Sequence, residues 1–158
     1  MIELEPYLDS CRAALAAGLP ARLTAIDSEL EHPREDDYYV GVVKVPLRFP
    51  LVEVAVADWQ MTDFDLGQLS ATAEFTLIVS ATIRTAEQST DRLYRMLMRY
   101  TRAILNVVLD PAVFQAGGVV TSVQGGYRMN PDDRRDAAEV TGATALAFTI
   151  ETSDSREL

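Results

Sequence analysis

The clearest feature of the chain is the run from Leu69 to Arg84, in which apolar and polar residues alternate and only Ile78 breaks the pattern. This alternation is typical of a β-strand with one buried face and one wet face. At ~3.3 Å per residue the strand would be about 50 Å long. A compact domain of this size is about 40 Å across. We therefore predict that the strand bends, or that it projects from the body and pairs with another chain.

Apolar residues spaced three and four positions apart predict helices on both sides of this strand. After it, an amphipathic helix from about Glu87 to Leu109 carries an apolar stripe: Leu93, Leu97, Tyr100, Ile104 and Val107. Before it, two short helices are predicted at 3–17 and about 20–30. We place a break between them because Gly18 suits a helix end and Pro20 suits a helix start.

Four further segments have the composition of strands: 38–48, 51–57, 119–129 and 144–151. Prolines 46 and 50 confine the first two to a sheet edge or a bend. A bulge is expected at Gly125-Gly126, and loops at 59–68 and 130–139. Because three strands come before the long helix, the pattern favours an α+β fold with a mixed or antiparallel sheet. We predict one domain over 1–158, ending in a flexible polar tail at 153–158.

Composition narrows the class of protein. The 158 residues are 48% hydrophobic and 24% charged, as in ordinary globular domains, and the net charge is −10. An acidic balance argues against binding to a phosphate backbone. No apolar run approaches the ~20 residues needed to span a bilayer, and the acidic N-terminus does not resemble a signal peptide. We expect a protein without a membrane segment that folds and stays in the cytoplasm of the cell that makes it.

The residues that could carry chemistry form no convincing site. The one cysteine, Cys11, lies on the apolar side of the first helix, and the one histidine, His32, lies in a polar loop. Asp63 and Asp65 read as solvated loop residues. The group Asp132, Asp133, Asp136 and Glu139 is interrupted by two arginines and lacks the glycine of a calcium loop. We predict no catalytic, cofactor or metal site, while a small ligand-binding domain or enzyme remains the alternative.

A row of arginines stands out from this background. Arg92, Arg95, Arg99 and Arg102 follow helical spacing beside the apolar stripe. They form either a solvated face or a seam between subunits, with nucleic-acid binding as a third reading. As a seam they would meet the acidic stretch of a neighbouring copy, which comprises Asp27, Glu29, Glu31, Glu35, Asp36 and Asp37. Such contacts would set partner geometry more than affinity.

The organisation of the chain resembles that of the tail-terminator and tail-completion (head–tail joining) proteins of long-tailed phages. The resemblance lies in LPARLTAIDSEL, in the hairpin-like YYVGVVKVPLRFPLVEVAV, and in LSATAEFTLIVSATIRTAEQSTDRLYRMLMRYTRAIL. It implies a homohexameric ring, located at the tail or neck of the virion, that caps the tail tube and docks onto the head-side connector. DNA would pass through the lumen without specific binding. The family contributes no catalytic residues; another neck or tube-family component is the nearest alternative.

Overall fold

The computed structural model describes residues 3–65, 70–85, 90–114, 117–131 and 140–155, and it confirms an α+β fold. In this part of the chain, two helices pack on one face of a mixed sheet. The α-helices and strands are α1 (Glu5–Ile26), β1 (Tyr38–Val40), β2 (Leu51–Asp65), β3 (Ser70–Thr85), α2 (Thr90–Val108), β4 (Val119–Pro131) and β5 (Val140–Ser155), and a 3-10 turn at Glu35–Asp37 leads into β1. The strand order is β1-β2-β3-β5-β4. Among the described strands, β1 and β2 are parallel and the other neighbours are antiparallel.

The long strand is confirmed as β3, but the expectation that it pairs with another chain is wrong. β3 lies inside the sheet, between β2 and β5. Its pairing with β5 runs from Ser70 to Thr85 without a gap, and its pairing with β2 runs from Ser70 to Thr82. From Ser70 to Thr82, both hydrogen-bonding edges of β3 are therefore paired within one chain. The apolar face of β3 forms the centre of the core, with Phe75, Leu77 and Val79 at most 1% exposed.

The prediction of two N-terminal helices is also wrong, because α1 continues through Pro20 to Ile26. Its buried residues recur every fourth position on both sides of the proline: Tyr7, Cys11, Leu15, Leu19 and Leu23. Burial of this unbroken stripe outweighs the local preferences of glycine and proline. A Cβ at Gly18 would lie 3.4 Å from Val107 Cγ2 of α2, which is an ordinary van der Waals distance. Gly18 therefore lies where the two helices contact each other.

The second helix confirms the predicted amphipathic helix and its stripe. Leu93, Leu97, Tyr100, Ile104 and Val107 are all buried. The stripe lies over β5 at close range, because a Cβ on Gly142 would lie 3.0 Å from Leu97 Cδ1. On the flank nearer β4, Thr101 Oγ1 and Thr144 Oγ1 are hydrogen-bonded at 2.6 Å. Residues 86–89, where the helix was expected to begin, lie outside the described residues.

The edges of the sheet depart from the sequence prediction. The predicted strand 38–48 is limited to β1, and residues 41–50 form a loop. β1 and β2 run parallel, with Tyr38 opposite Val52, so this region is not a hairpin. β2 extends through the predicted loop to Asp65 because β3 offers it a partner along this length.

The C-terminal strands differ from the prediction in smaller ways. Gly125 and Gly126 pair in register with Leu146 and Ala145, and the irregularity lies between Val120 and Ser122 instead. β5 reaches Ser155, which pairs with Ser70, so regular structure continues into the predicted tail. The acidic group at 132–139 and residues 156–158 lie outside the described residues.

Candidate assembly surfaces

One face of the sheet is not covered by the helices. Residues of β3 and β5 on this side are mostly threonine, alanine and serine, and they are partly exposed. The charged residues on this face whose side chains the structure describes are Glu53, Asp58, Glu74, Glu151, Arg84 and Arg128. Acids therefore outnumber bases by four to two. We call this surface the open face.

The loop 41–50 exposes large apolar side chains at one edge of the sheet. Val42, Val45 and Leu47 are 80%, 73% and 87% exposed. The loop is nevertheless tied to the sheet through its backbone. Gly41 N donates to Val54 O at 2.8 Å, and Val43 N donates to Glu53 Oε2 at 2.6 Å. An anchored loop that presents valine and leucine to solvent is unusual in a monomeric protein.

The end of this loop is tied down by an ion pair. Arg48 Nη2 lies 3.0 Å from Asp37 Oδ1, and the Asp37 side chain is 2% exposed. Tyr39 Oη donates to the same carboxylate oxygen at 3.1 Å. A buried carboxylate needs such partners, and removing one is costly. The contacts of residues 37, 39, 41, 43 and 48 tie the two ends of the loop to the rest of the chain, while its apolar side chains stay outside.

A second apolar surface lies at the opposite edge. It consists of five side chains, each 37–49% exposed, which we call the apolar shelf: Tyr94, Met98, Val123, Tyr127 and Met129. Two come from α2 and three from β4. The rings of Tyr94 and Tyr127 are 5.1 Å apart.

Register and spacing explain why the shelf forms. On β4, Val123 and Tyr127 lie opposite Phe148 and Thr144, which places them on the helix-covered side. α2 packs mainly over β5, so it covers this side of β4 incompletely. Tyr94 and Met98 are one turn apart on the flank of α2 that faces β4. Because β1 and β4 are the outer strands, the loop and the shelf lie at opposite edges of the sheet.

A third exposed apolar pair lies along β2. Trp59 and Met61 are 63% and 48% exposed. They lie opposite Phe75 and Ala73, on the helix-covered side of the sheet. Exposed tryptophan is a common anchor residue in protein interfaces. The pair is therefore a further candidate contact surface, separate from the loop and the shelf.

The arginine row is engaged largely within the chain. Arg99 forms an ion pair with Asp27 of the same chain, and Arg95 Nε lies 3.1 Å from Asp91 Oδ2. Arg92 and Arg102 are exposed. Of the acidic stretch, Glu29, Glu31, Glu35 and Asp36 are exposed and Asp37 is buried. The two halves of the predicted seam thus meet inside one subunit at Arg99 and Asp27.

The residues with intrinsic reactivity are spread through the molecule. Cys11 is fully buried, as predicted, and burial raises the pKa of its thiol to about 12. His32 is exposed, and its Nε2 lies 3.0 Å from Thr24 Oγ1. Burial also raises the pKa of Tyr38 to about 12. The described residues contain no group of three or more His, Cys, Asp or Glu side chains arranged to hold a metal ion.

An open groove of about 670 Å³ runs between α1 and the C-terminal end of α2. Its lining is mixed, with Ala14 and Val113 beside Arg22 and Asp110. None of the described helices is both long and apolar enough to cross a membrane.

Comparison with known proteins gives likenesses among solved structures only. No family model and no curated protein matches the chain. Among solved structures, a chain from the virion of a native gene transfer agent (GTA) particle is 14% identical. The alignment covers 88% of this chain and 96% of that chain, with a TM-score of 0.42. At this level the likeness assigns no function, which has to be argued from the surfaces of the chain itself.

Proposed function

We propose that this chain is a structural subunit of a phage or phage-like particle. More specifically, it is a tail-terminator or head–tail joining protein that forms a homohexameric ring, caps the tail tube and docks onto the head-side connector. The observation that carries this proposal is the exposure of apolar side chains at both lateral edges of the sheet. Different patches on opposite sides of one subunit suit the head-to-tail contacts of a ring.

The open face supports the same proposal. In a ring joined through the lateral edges, this face is available to line the lumen. Its described charges are four acids and two arginines, and the whole chain carries −10. A negative wall repels DNA and lets it pass without sticking. DNA is therefore a passenger in this proposal, and the tail tube and connector are the protein partners.

The proposal includes no catalytic, metal or cofactor role. Cys11 is the strongest nucleophile by residue type, but its raised pKa keeps the thiol protonated at neutral pH. His32 lies on the surface beside Thr24. Another neck component or a tube-family protein would use the same lateral edges, but a tube protein would polymerise without a fixed subunit number. A role as a small enzyme or ligand-binding domain would not explain why apolar side chains are exposed at both edges of the sheet.

Deletion of the gene from a particle-producing strain tests the function. We expect separated heads and tails, with tails of uncontrolled length, in electron micrographs of the deletion strain. Supplying the gene in trans is the control and should restore joined particles. Gold-labelled antibody should mark the head–tail junction of complete particles. Normal particles from the deletion strain, together with absence of the chain from purified particles, would refute the proposal.

A further inference from the structure

The geometry points to one specific lateral contact, which we propose as a deepening of the ring function. The loop 41–50 of one subunit packs on the apolar shelf of the next copy of the same chain. The contact is head-to-tail, so each subunit offers its loop to one neighbour and its shelf to the other. The occupant of the shelf is therefore a second copy.

The loop and the shelf of one molecule cannot meet each other. They lie at opposite edges of the sheet, with β2, β3 and β5 between β1 and β4. Four strand spacings of ~4.8 Å separate the two outer strands by about 19 Å. The backbone anchors at Gly41 and Val43 keep the loop beside β2. Contact between these surfaces therefore requires two subunits.

The two surfaces match in size. Burying an aliphatic side chain contributes about 1.5–3 kcal/mol, which at ~25 cal/mol per Å² corresponds to roughly 60–120 Å² of apolar surface. An aromatic side chain buries ~150–250 Å². Scaled by the observed exposures, the loop offers about 140–290 Å² of apolar surface and the shelf about 200–350 Å². With the usual ~57% apolar share, one contact would bury about 600–1,100 Å² over both partners. The upper part of this range reaches the ~1,000 Å² expected of a specific interface.

The shelf is continuous along β4. Its three β4 residues lie on the same side of the strand as Gly125, which lies between Val123 and Tyr127. A Cβ at Gly125 would lie 2.8 Å from Leu146 Cδ2, so the Leu146 side chain fills the space beside the glycine. The loop presents protruding side chains to this surface, of which Leu47 is the most exposed.

A symmetric contact would use these surfaces less well. Loop against loop, or shelf against shelf, would leave the other apolar surface of each subunit in water. A head-to-tail contact covers both with one interface, repeated around the ring. Polar groups at the rim agree with this pairing. Lys44 is exposed within the loop. Asp91, three residues before Tyr94 on α2, is 76% exposed at the border of the shelf, where it also pairs with Arg95 of its own subunit.

The test uses three double variants that each add two glutamates. The loop variant is Val45→Glu with Leu47→Glu, and the shelf variant is Met98→Glu with Val123→Glu. The matched control is Leu109→Glu with Val119→Glu, two side chains that are 47% and 63% exposed and lie outside the loop, the shelf and the Trp59–Met61 pair. Circular dichroism and thermal unfolding establish that each variant folds. Light scattering after size exclusion then gives the mass of each variant and of their mixtures.

We expect the wild type and the control to form the same closed oligomer. The loop and shelf variants, each alone, should stay monomeric at concentrations at least tenfold above those at which the wild type assembles. Mixed one to one, they should form a two-subunit species, because one intact loop then meets one intact shelf. This heterodimer is not expected from a symmetric contact.

Three outcomes would overturn the inference: wild-type assembly by either folded variant, no heterodimer in the mixture, or a wild type that stays monomeric at every concentration. The first two leave the ring function standing with a different interface. Failure of the function itself is read separately, from the deletion strain and the labelled particles.

Discussion

The ion pair between Arg99 and Asp27 decides between two roles for the arginine row. In the structure it joins α2 to the residue that ends α1. The Arg99 and Asp27 side chains are 41% and 25% exposed. Solvent screening limits such a half-exposed pair to about 0.5–1 kcal/mol of the free energy of unfolding. If the arginine row were instead an intersubunit seam, loss of Arg99 would mainly weaken subunit association.

The position of Asp27 makes the two single substitutions unequal. A carboxylate at the C-terminal end of a helix is repelled by the helix dipole, by about 0.3–1 kcal/mol. Arg99 offsets this repulsion. We therefore expect Arg99→Gln to lower the free energy of unfolding by about 0.5–1.5 kcal/mol. Asp27→Asn should cost less, because it removes the repelled charge and keeps the oxygen that accepts from Glu29 N at 3.0 Å.

A double-mutant cycle measures the coupling. Urea unfolding of the wild type, both single variants and the double variant should give a coupling free energy of about 0.5–1 kcal/mol between Arg99 and Asp27. This coupling should decrease with added salt. Arg102→Gln, on the same exposed flank of α2, is the control and should change stability by less than about 0.5 kcal/mol. Subunit association should be equal in all five proteins. Coupling indistinguishable from zero, together with weakened association in Arg99→Gln, would refute the intrachain role.

Three further predictions follow from buried groups. Gly118→Ala should cost about 1–3 kcal/mol in urea unfolding, because its Cβ would lie 2.7 Å from Tyr7 Cε1 in the core. Gly126→Ala, with nothing within 4 Å, is its control and should not destabilise; equal effects would contradict the packing argument. Tyr38→Phe should leave stability unchanged or raise it by up to about 1 kcal/mol, because Tyr38 Oη is buried and finds no hydrogen-bond partner among the described residues. A loss above about 1 kcal/mol would reveal a partner. Burial raises the pKa of Cys11 from 9.0 to about 12, so the stability that this protonated thiol contributes is complete below pH 9.0 and is lost as the pH rises towards 12. Unfolding measured at about pH 8 and about pH 10.5 should show a steeper decline for the wild type than for Cys11→Ala; parallel declines would contradict this pKa.

The sequence correctly predicted those elements whose hydrophobic periodicity matches the face that is buried in the fold. β3 and α2 each carry a regular period over 16 and 19 residues, and both apolar faces are buried. The sequence did not reveal the partners of β3, because alternation shows which face is buried and not which strands lie alongside. The preference of proline for helix starts also gave a wrong prediction at Pro20, because the buried stripe of α1 keeps the helix continuous.

The candidate site was harder to predict for a related reason. Val42, Val45 and Leu47 have the composition of a buried strand, yet they lie exposed in a loop. Pro46 and Lys44 beside them were the available signal against a central strand. Tyr94 and Met98 fell outside the predicted stripe of α2, and only the position of β4 shows that they belong to a surface. The arginine row was visible in the sequence, but its partner in the same chain was not.

The central position of β3 has a consequence for synthesis of the protein. β3 ends at residue 85, whereas β5, which covers one of its two edges, begins at residue 140. At ~5–20 residues per second, a ribosome takes roughly 3–11 s to make the intervening chain. During that interval the nascent protein carries an open, 16-residue strand edge, which is the kind of edge that recruits other unfinished chains. Crowded polysomes, and not the completed subunit, are therefore where this fold is most exposed to aggregation.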